Sequence, residues 1–344
     1  MGVAITDLLE RKTISFKELR GKLLMVDGPL WCYQFLTSLR GPDGRPLTNS
    51  KGMITSHIMG LFSRVTALLR EGILLAFCFD GTVPDLKLAE RARRAGIKKE
   101  AERLLKAAED AGDDEGVRKY SSRTVRLTSE MLSDVKKLLV ALGIPVIEAP
   151  AEAEAQASHI VKRGDAYAVA TNDADALLFG SPLVLRNLSM AGRRKKTNKL
   201  AFETVEPELI TLKGTLNSLD LTQEQLIALG MLVGTDFNVG GIEGIGPKKG
   251  LGLVKEYKGD LDGLFSFLKW DSFFDVSWKA VFDQIHEMPV SDEYSLEMRE
   301  LDAEKVRELL IGKLEFSAER VEGSLMKLEK EMKSRTQKGL GDFF

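Results

Sequence analysis

The residues in this chain that could do chemistry are acids placed at the ends of apolar runs. Asp27 closes KLLMVDG (22–28), Asp80 closes GILLAFCFDG (72–81), and Asp173 and Asp175 close YAVATNDAD (167–175). One Asp in such a place is ordinary turn chemistry. Three strands that deliver carboxylates to the same edge would suffer mutual repulsion unless cations neutralised it. Glu152 and Glu154, in APAEAE (149–154), follow another apolar run and open a helix, where acids also suit the positive end of the helix dipole. Asp236, after LIALGMLVGT, is a seventh candidate. Oxygen ligands of this kind favour Mg²⁺, with Mn²⁺ as a substitute, over zinc. The histidines His57, His159 and His286 are scattered and show no ligand spacing. Two such ions about 3.5–4 Å apart polarise a phosphodiester, activate water and stabilise the departing oxygen, so no protein nucleophile is needed.

The charge balance fits a polyanionic substrate. The 344 residues carry 49 basic and 51 acidic side chains, a net charge of −2. Setting the seven candidate acids aside moves the sum from −2 to +5, a mildly basic surface around an acidic centre. Bases cluster at Arg193, Arg194, Lys195 and Lys196, and again at Lys248 and Lys249. Cys32 and Cys78 are too few for a disulfide scaffold and form no zinc-type pair. With 44% apolar residues the chain can bury a sizeable core. No apolar run reaches the roughly 20 residues that span a bilayer, and a soluble intracellular protein with no membrane partner is expected.

The elements that must position these acids are those of an α/β domain with a mostly parallel central sheet flanked by helices. Strands are expected at 22–27, 72–80, 144–148, 167–173 and, more briefly, 183–186. A crossover helix is expected from about Thr55 to Leu69. Residues 82–130 are charge-dense and helical, with too thin an apolar stripe for a core layer, and are expected to project from the body. Helices dominate from Leu221. Residues 1–330 form one domain in this reading, and 331–344 a flexible tail with an apolar tip.

Five blocks, MVDGPLWCYQFL (25–36), FDGTVPDLK (79–87), EAPAEAEAQAS (148–158), ATNDADALLFG (170–180) and GTDFNVGGIEGIGPKKG (234–250), occur in this order. With them the chain resembles the archaeal-type flap endonucleases of the structure-specific 5′-nuclease superfamily over nearly its whole length. The resemblance implies that Asp27, Asp80, Glu152, Glu154, Asp173, Asp175 and Asp236 are metal ligands for two Mg²⁺. It also implies that residues 82–130 form a helical arch over the active site, which admits a single-stranded 5′ flap. Lys87 and Arg94 at its base act near the scissile phosphate. Tyr33 stacks on a base, although an amphipathic helix could equally bury it as a core aromatic, and Arg40 joins the DNA contacts. Gly28-Pro29 departs from the family's usual small or polar residues, which leaves the turn after Asp27 open to a different shape.

Residues 243–250 read as a glycine turn that opens a helix, and the resemblance implies that residues 222–260 hold a helix–turn–helix element for duplex DNA. Gly244 and Gly246 let backbone approach a phosphate, Lys248 and Lys249 add charge, and by resemblance K⁺ bridges the two. The cluster Arg193, Arg194, Lys195 and Lys196 is either a second DNA contact or a solvated loop. The tail fits the sliding-clamp pattern through Gln337, Leu340, Phe343 and Phe344. The function implied is cleavage at the base of 5′ flaps during replication and repair by a monomer, with 5′–3′ exonuclease activity alongside. A junction- or bubble-cutting nuclease and a non-catalytic clamp-recruited DNA scaffold are the alternatives. No basic extension follows Phe344, so a prokaryotic cytoplasm is the expected compartment.

Overall fold

The computed structural model describes residues 3–190, 192–195 and 202–341. Its strands are β1 (Lys12–Thr13), β2 (Leu23–Asp27), β3 (Leu74–Phe79), β4 (Val146–Glu148), β5 (Ala168–Ala170), β6 (Leu183–Arg186), β7 (Gly192–Lys195), β8 (Phe202–Val205) and β9 (Glu208–Thr211). Seven of them form one sheet in the order β1-β9-β6-β5-β2-β3-β4. The neighbours from β4 through β6 are all parallel, and β9 joins β6 and β1 antiparallel. All five expected strands are therefore present. The short strands β1, at the sheet edge, and β9, between β1 and β6, carry no long apolar run and were not expected. The pair β7–β8 forms a separate antiparallel ribbon.

Side chains alternate across the pleat, which sends β2 into two cores at once. Leu24 and Val26 face one layer with Phe77, Leu185 and the helices α1 (Gly28–Ser38) and α2 (Ser56–Glu71). Met25 faces the other with Cys78 and Val169. A sheet covered on both faces explains the near-continuous apolar runs. The expected crossover helix is α2. From β2 the chain moves to β3 and β4 on one side, then returns to β5 on the other side of β2. This reversal makes a crevice at the carboxyl ends of β2 and β5, the place where such sheets bind ligands.

The charge-dense segment is a helical hairpin, α3 (Leu88–Asp110) and α4 (Asp114–Thr124). It is braced as well as projecting. Arg45 pairs with Glu109 at 2.5 Å, and the Ser121 hydroxyl donates to the Gly44 carbonyl at 2.8 Å. The hairpin leads into α5 (Ser129–Ala141), whose N-cap Thr128 accepts from Met131 N at 3.2 Å. Then come α6 (Ala153–Lys162) and α7 (Asp175–Leu178). In the helical half, α8 (Gln223–Val233) and α9 (Pro247–Glu256) flank a loop within the segment read as a helix–turn–helix element. Residues 331–341 depart from the expected tail: α10 (Ala318–Gly341) runs through them. The stretch from Ser324 to Lys338 has no glycine or proline to stop it.

Candidate metal centre and nucleic-acid interface

Four strand ends and two helix starts build the site. Asp27 ends β2 and is the N-cap of α1, where its side chain accepts from Leu30 N at 2.9 Å. Pro29 occupies the first turn, so the departure at Gly28-Pro29 yields an ordinary helix start. Asp80 follows β3 and accepts from Ala153 N, the first residue of α6, at 2.9 Å. Gly81 permits this approach: Gly81 N donates to Ala151 O at 2.7 Å, and a Cβ there would lie 1.9 Å from the Ala149 carbonyl. No other residue brings Asp80 so close to the strand-to-helix turn that holds Glu152.

Glu152 is the N-cap of α6 and Glu154 lies in its first turn. The Thr171 hydroxyl donates to Glu154 at 2.6 Å, and Thr171 is the residue that follows β5. Asp173 accepts from Asp175 N at 3.3 Å, and Asp175 accepts from Val3 N at 2.7 Å, across 172 residues of sequence. Carboxylate oxygens of Glu154, Asp173 and Asp175 all lie within 4.8 Å of one another. The remaining four acids line the same cavity of about 610 Å³, as do Tyr33, Lys87 and Arg94.

This crowding has an electrostatic signature. Burial and then the neighbouring Asp80 charge push the Asp27 carboxyl up to about 8. Burial and then Asp173 push Asp175 up to about 8. Burial and Asp173 raise Glu154 well above the carboxylate range. Burial raises Asp173 too. Glu152 is also raised by burial, with Lys87 pulling the other way. Lys87 already acts as a cation in this site, with its Nζ 2.5 Å from Glu152 and 3.3 Å from Asp236. Burial alone would lower the lysine pKa, but Glu152, Asp236 and Asp80 outweigh it and hold the ammonium charged. Arg94 reaches Asp236 at 2.5 Å. An all-oxygen cluster that ionises reluctantly, and draws in the nearest cations, fits hard divalent ions.

A measurable consequence follows for the metal-free protein. Asp27 and Asp175 have folded-state values of about 8 against 3.8 for a free side chain. Their contribution to stability is therefore lost as pH rises across that window, because the unfolded chain gives up these protons first. Divalent metal uptake at pH 7 is expected to release at least about one proton. Calorimetric titration in buffers of different ionisation enthalpy reads this directly, and heats independent of the buffer would refute it.

The other expected contacts divide. Tyr33 is 37% exposed and faces the cavity, with Lys98 Nζ 5.5 Å from its ring centroid, so it is not a core aromatic. Arg40 lies outside the cavity lining, and its guanidinium donates to the carbonyls of Thr37 and Gly44 at 2.8 and 2.9 Å. Gly244, Gly246, Lys248 and Lys249 also lie outside it, at the start of α9, where Lys249 Nζ donates to Gly244 O at 3.4 Å. Arg193, Arg194 and Lys195 are in β7, a paired strand where a loop was considered, and Lys196 lies outside the described residues. Gln337 and Leu340 fall within α10, while Phe343 and Phe344 lie outside the described residues. Sequence reasoning missed Arg93, Lys98 and Arg123, which line the cavity. Lys98 is one helical turn beyond Arg94, a spacing that could have revealed it. Arg123 comes from the second helix of the hairpin and is legible only from tertiary packing.

Comparison with known proteins shows what the chain is similar to. The XPG N-terminal domain family matches residues 1–101, and the XPG I-region matches residues 143–236. Flap endonuclease 1 of Staphylothermus marinus is 45% identical over 96% of this chain and 95% of its own length. That of Pyrococcus horikoshii is 42% identical over 100% of this chain and 98% of its own. Among solved structures, flap endonuclease-1 from Methanococcus jannaschii matches with a TM-score of 0.74 at 37% identity, covering 97% of this chain and 100% of that one.

Proposed function

The chain belongs to the flap endonuclease family, and from that premise we propose how its site cuts DNA. The activity is metal-dependent, structure-specific flap cleavage, consistent with replication and repair. In our reading Asp27, Asp80, Glu152, Glu154, Asp173, Asp175 and Asp236 hold two Mg²⁺, with Mn²⁺ as a substitute. The convergence of all seven acids on one cavity carries this reading. When bound, such ions supply Lewis-acid polarisation of the scissile phosphodiester and activation of water.

The chain's own residues do the rest. Lys87 and Arg94 leave the carboxylates for the phosphate when metal replaces their charge, and stabilise the charge that develops there. Tyr33 offers its exposed face to a base beside the cut. The α3–α4 hairpin closes one side of the cavity and serves as the arch through which a single-stranded 5′ flap reaches the acids. Gly244, Gly246, Lys248 and Lys249 grip the duplex backbone, and a K⁺ held at this turn would add positive charge there, so shape and not sequence is read. Arg40, Arg193, Arg194, Lys195 and Lys196 extend the basic surface. The working form is a monomer in a prokaryotic cytoplasm, with 5′–3′ exonuclease activity as a lesser outcome of the same chemistry.

The decisive experiment is cleavage of an end-labelled double-flap DNA with and without Mg²⁺, beside single-stranded and blunt-duplex controls. A metal-dependent cut at the flap base, with little action on the controls, is expected. Binding without cutting across several divalent metals would leave only a DNA scaffold. We further propose that Gln337, Leu340, Phe343 and Phe344 dock on a sliding clamp. Deleting residues 337–344 is expected to abolish stimulation by the clamp and leave basal cleavage unchanged. Stimulation that survives the deletion would refute the assignment.

A further inference from the structure

We propose that Glu90 is a positioning residue for flap cleavage, holding the Arg94 guanidinium so that it is aimed at the metal centre. The inference rests on the role given above to Arg94. Helix α3 is otherwise a solvated, charge-dense helix, with only Glu90, Ala101 and Ala108 buried. A buried carboxylate needs partners, and removal of one partner costs far more than the pair contributes on a surface. Glu90 is 3% exposed, and it is not among the acids that line the metal cavity.

Its partners are two arginines on the following turn. Arg93 donates through Nε and Nη2 at 2.6 and 2.9 Å, a two-pronged fork, and Arg94 donates through Nε at 2.5 Å. These arginines hold the Glu90 carboxyl below its ordinary value, so it stays ionised at neutral pH. Arg94 then uses its far nitrogen, Nη2, to reach Asp236. The planar guanidinium is thus fixed at both ends, with Glu90 on the helix and Asp236 at the metal centre. A rigid fork loses little freedom once one edge is held. With Asp236 engaged by a metal, Glu90 would remain as the anchor, and the other edge of Arg94 would stay pointed into the cavity for a phosphate oxygen. Without Glu90 the side chain would sample several rotamers from an exposed helix face, and misplacement of this kind slows a reaction without weakening substrate binding.

The test is a double-mutant cycle on the full chain. Glu90→Gln, Arg94→Ala and the double variant are compared by single-turnover cleavage of a double-flap DNA at saturating Mg²⁺. Circular dichroism checks that α3 is folded, and a binding isotherm in Ca²⁺ gives the flap DNA affinity. Glu90→Gln is expected to slow the step about tenfold with an unchanged Kd, and to have no further effect once Arg94 is alanine. Glu90→Asp is expected to recover part of the rate. Equal slowing with and without Arg94 would overturn the proposal, since Glu90 would then act elsewhere. A normal or faster Glu90→Gln enzyme would overturn it as well. Normal cutting by Arg94→Ala would overturn it through Arg94 itself and would leave flap cleavage by the carboxylate centre standing.

Discussion

Asp173→Ala is expected to lower the single-turnover rate on a flap substrate by about a thousandfold or more, with DNA affinity unchanged to within about twofold. Two observations and the proposed ligand role give the size of the effect. Asp173 is one of the three acids whose oxygens lie within 4.8 Å of each other. Its carboxylate also accepts from the Asp175 amide at 3.3 Å, so its loss disturbs the next ligand in the same turn. In the proposed ligand set its contribution is made through an ion on which the chemistry depends. Binding is spared for a separate reason, because a carboxylate facing a phosphate opposes association. The same outcome is expected for Asp80→Ala. Rapid-quench cleavage beside a binding isotherm checks both, and turnover near that of the parent enzyme would remove the residue from the ligand set.

Lys87→Ala is expected to act in two opposed directions. The rate at saturating metal should fall by about a hundredfold or more, the usual consequence of losing a donor aimed at developing charge. The metal concentration needed for half-maximal rate should fall as well. Lys87 Nζ lies 2.5 Å from Glu152 and 3.3 Å from Asp236, so in the metal-free protein it competes with the incoming ion for both oxygens. Removing it leaves carboxylates that lack a counter-ion and bind a cation more tightly. A metal titration of the single-turnover rate separates the two effects. A slower enzyme that also needs more metal would mean that Lys87 only holds Glu152 in place.

How much of this was legible before the fold was known depended on how locally each feature is encoded. The strands that carry Asp27, Asp80 and Asp173 are buried on both faces, so their apolar runs are continuous and their acidic ends stand out. The parallel order of β2, β3, β4 and β5 then places those ends on one edge, which spacing could suggest but not fix. The strands β1 and β9 left no such trace, being short and only partly covered. Arg123 was hidden because its place depends on how α3 and α4 fold over the cavity, whereas Lys98 lay at a readable spacing from Arg94. Glu90 was hidden for another reason. In a run with so many charges its burial is invisible until the hairpin is in place. The helix α10 overran the expected tail because composition there signals an exposed segment, and an exposed segment can still be helical.

The span of the site along the chain has a consequence for how the protein is made. Its acids begin at Asp27 and end at Asp236, and Asp175 is tied to Val3 N at 2.7 Å. Helix α10 then packs on α2, joining the region of Val321, Leu325 and Leu328 to the first third of the chain. A ribosome that has released the amino-terminal part of this chain has therefore released an incomplete cluster of acids. Its contacts of long sequence separation form late. The proposed metal centre is assembled only when synthesis has passed residue 236, so a partly made chain beside the cell's own nucleic acids lacks the full set of acids.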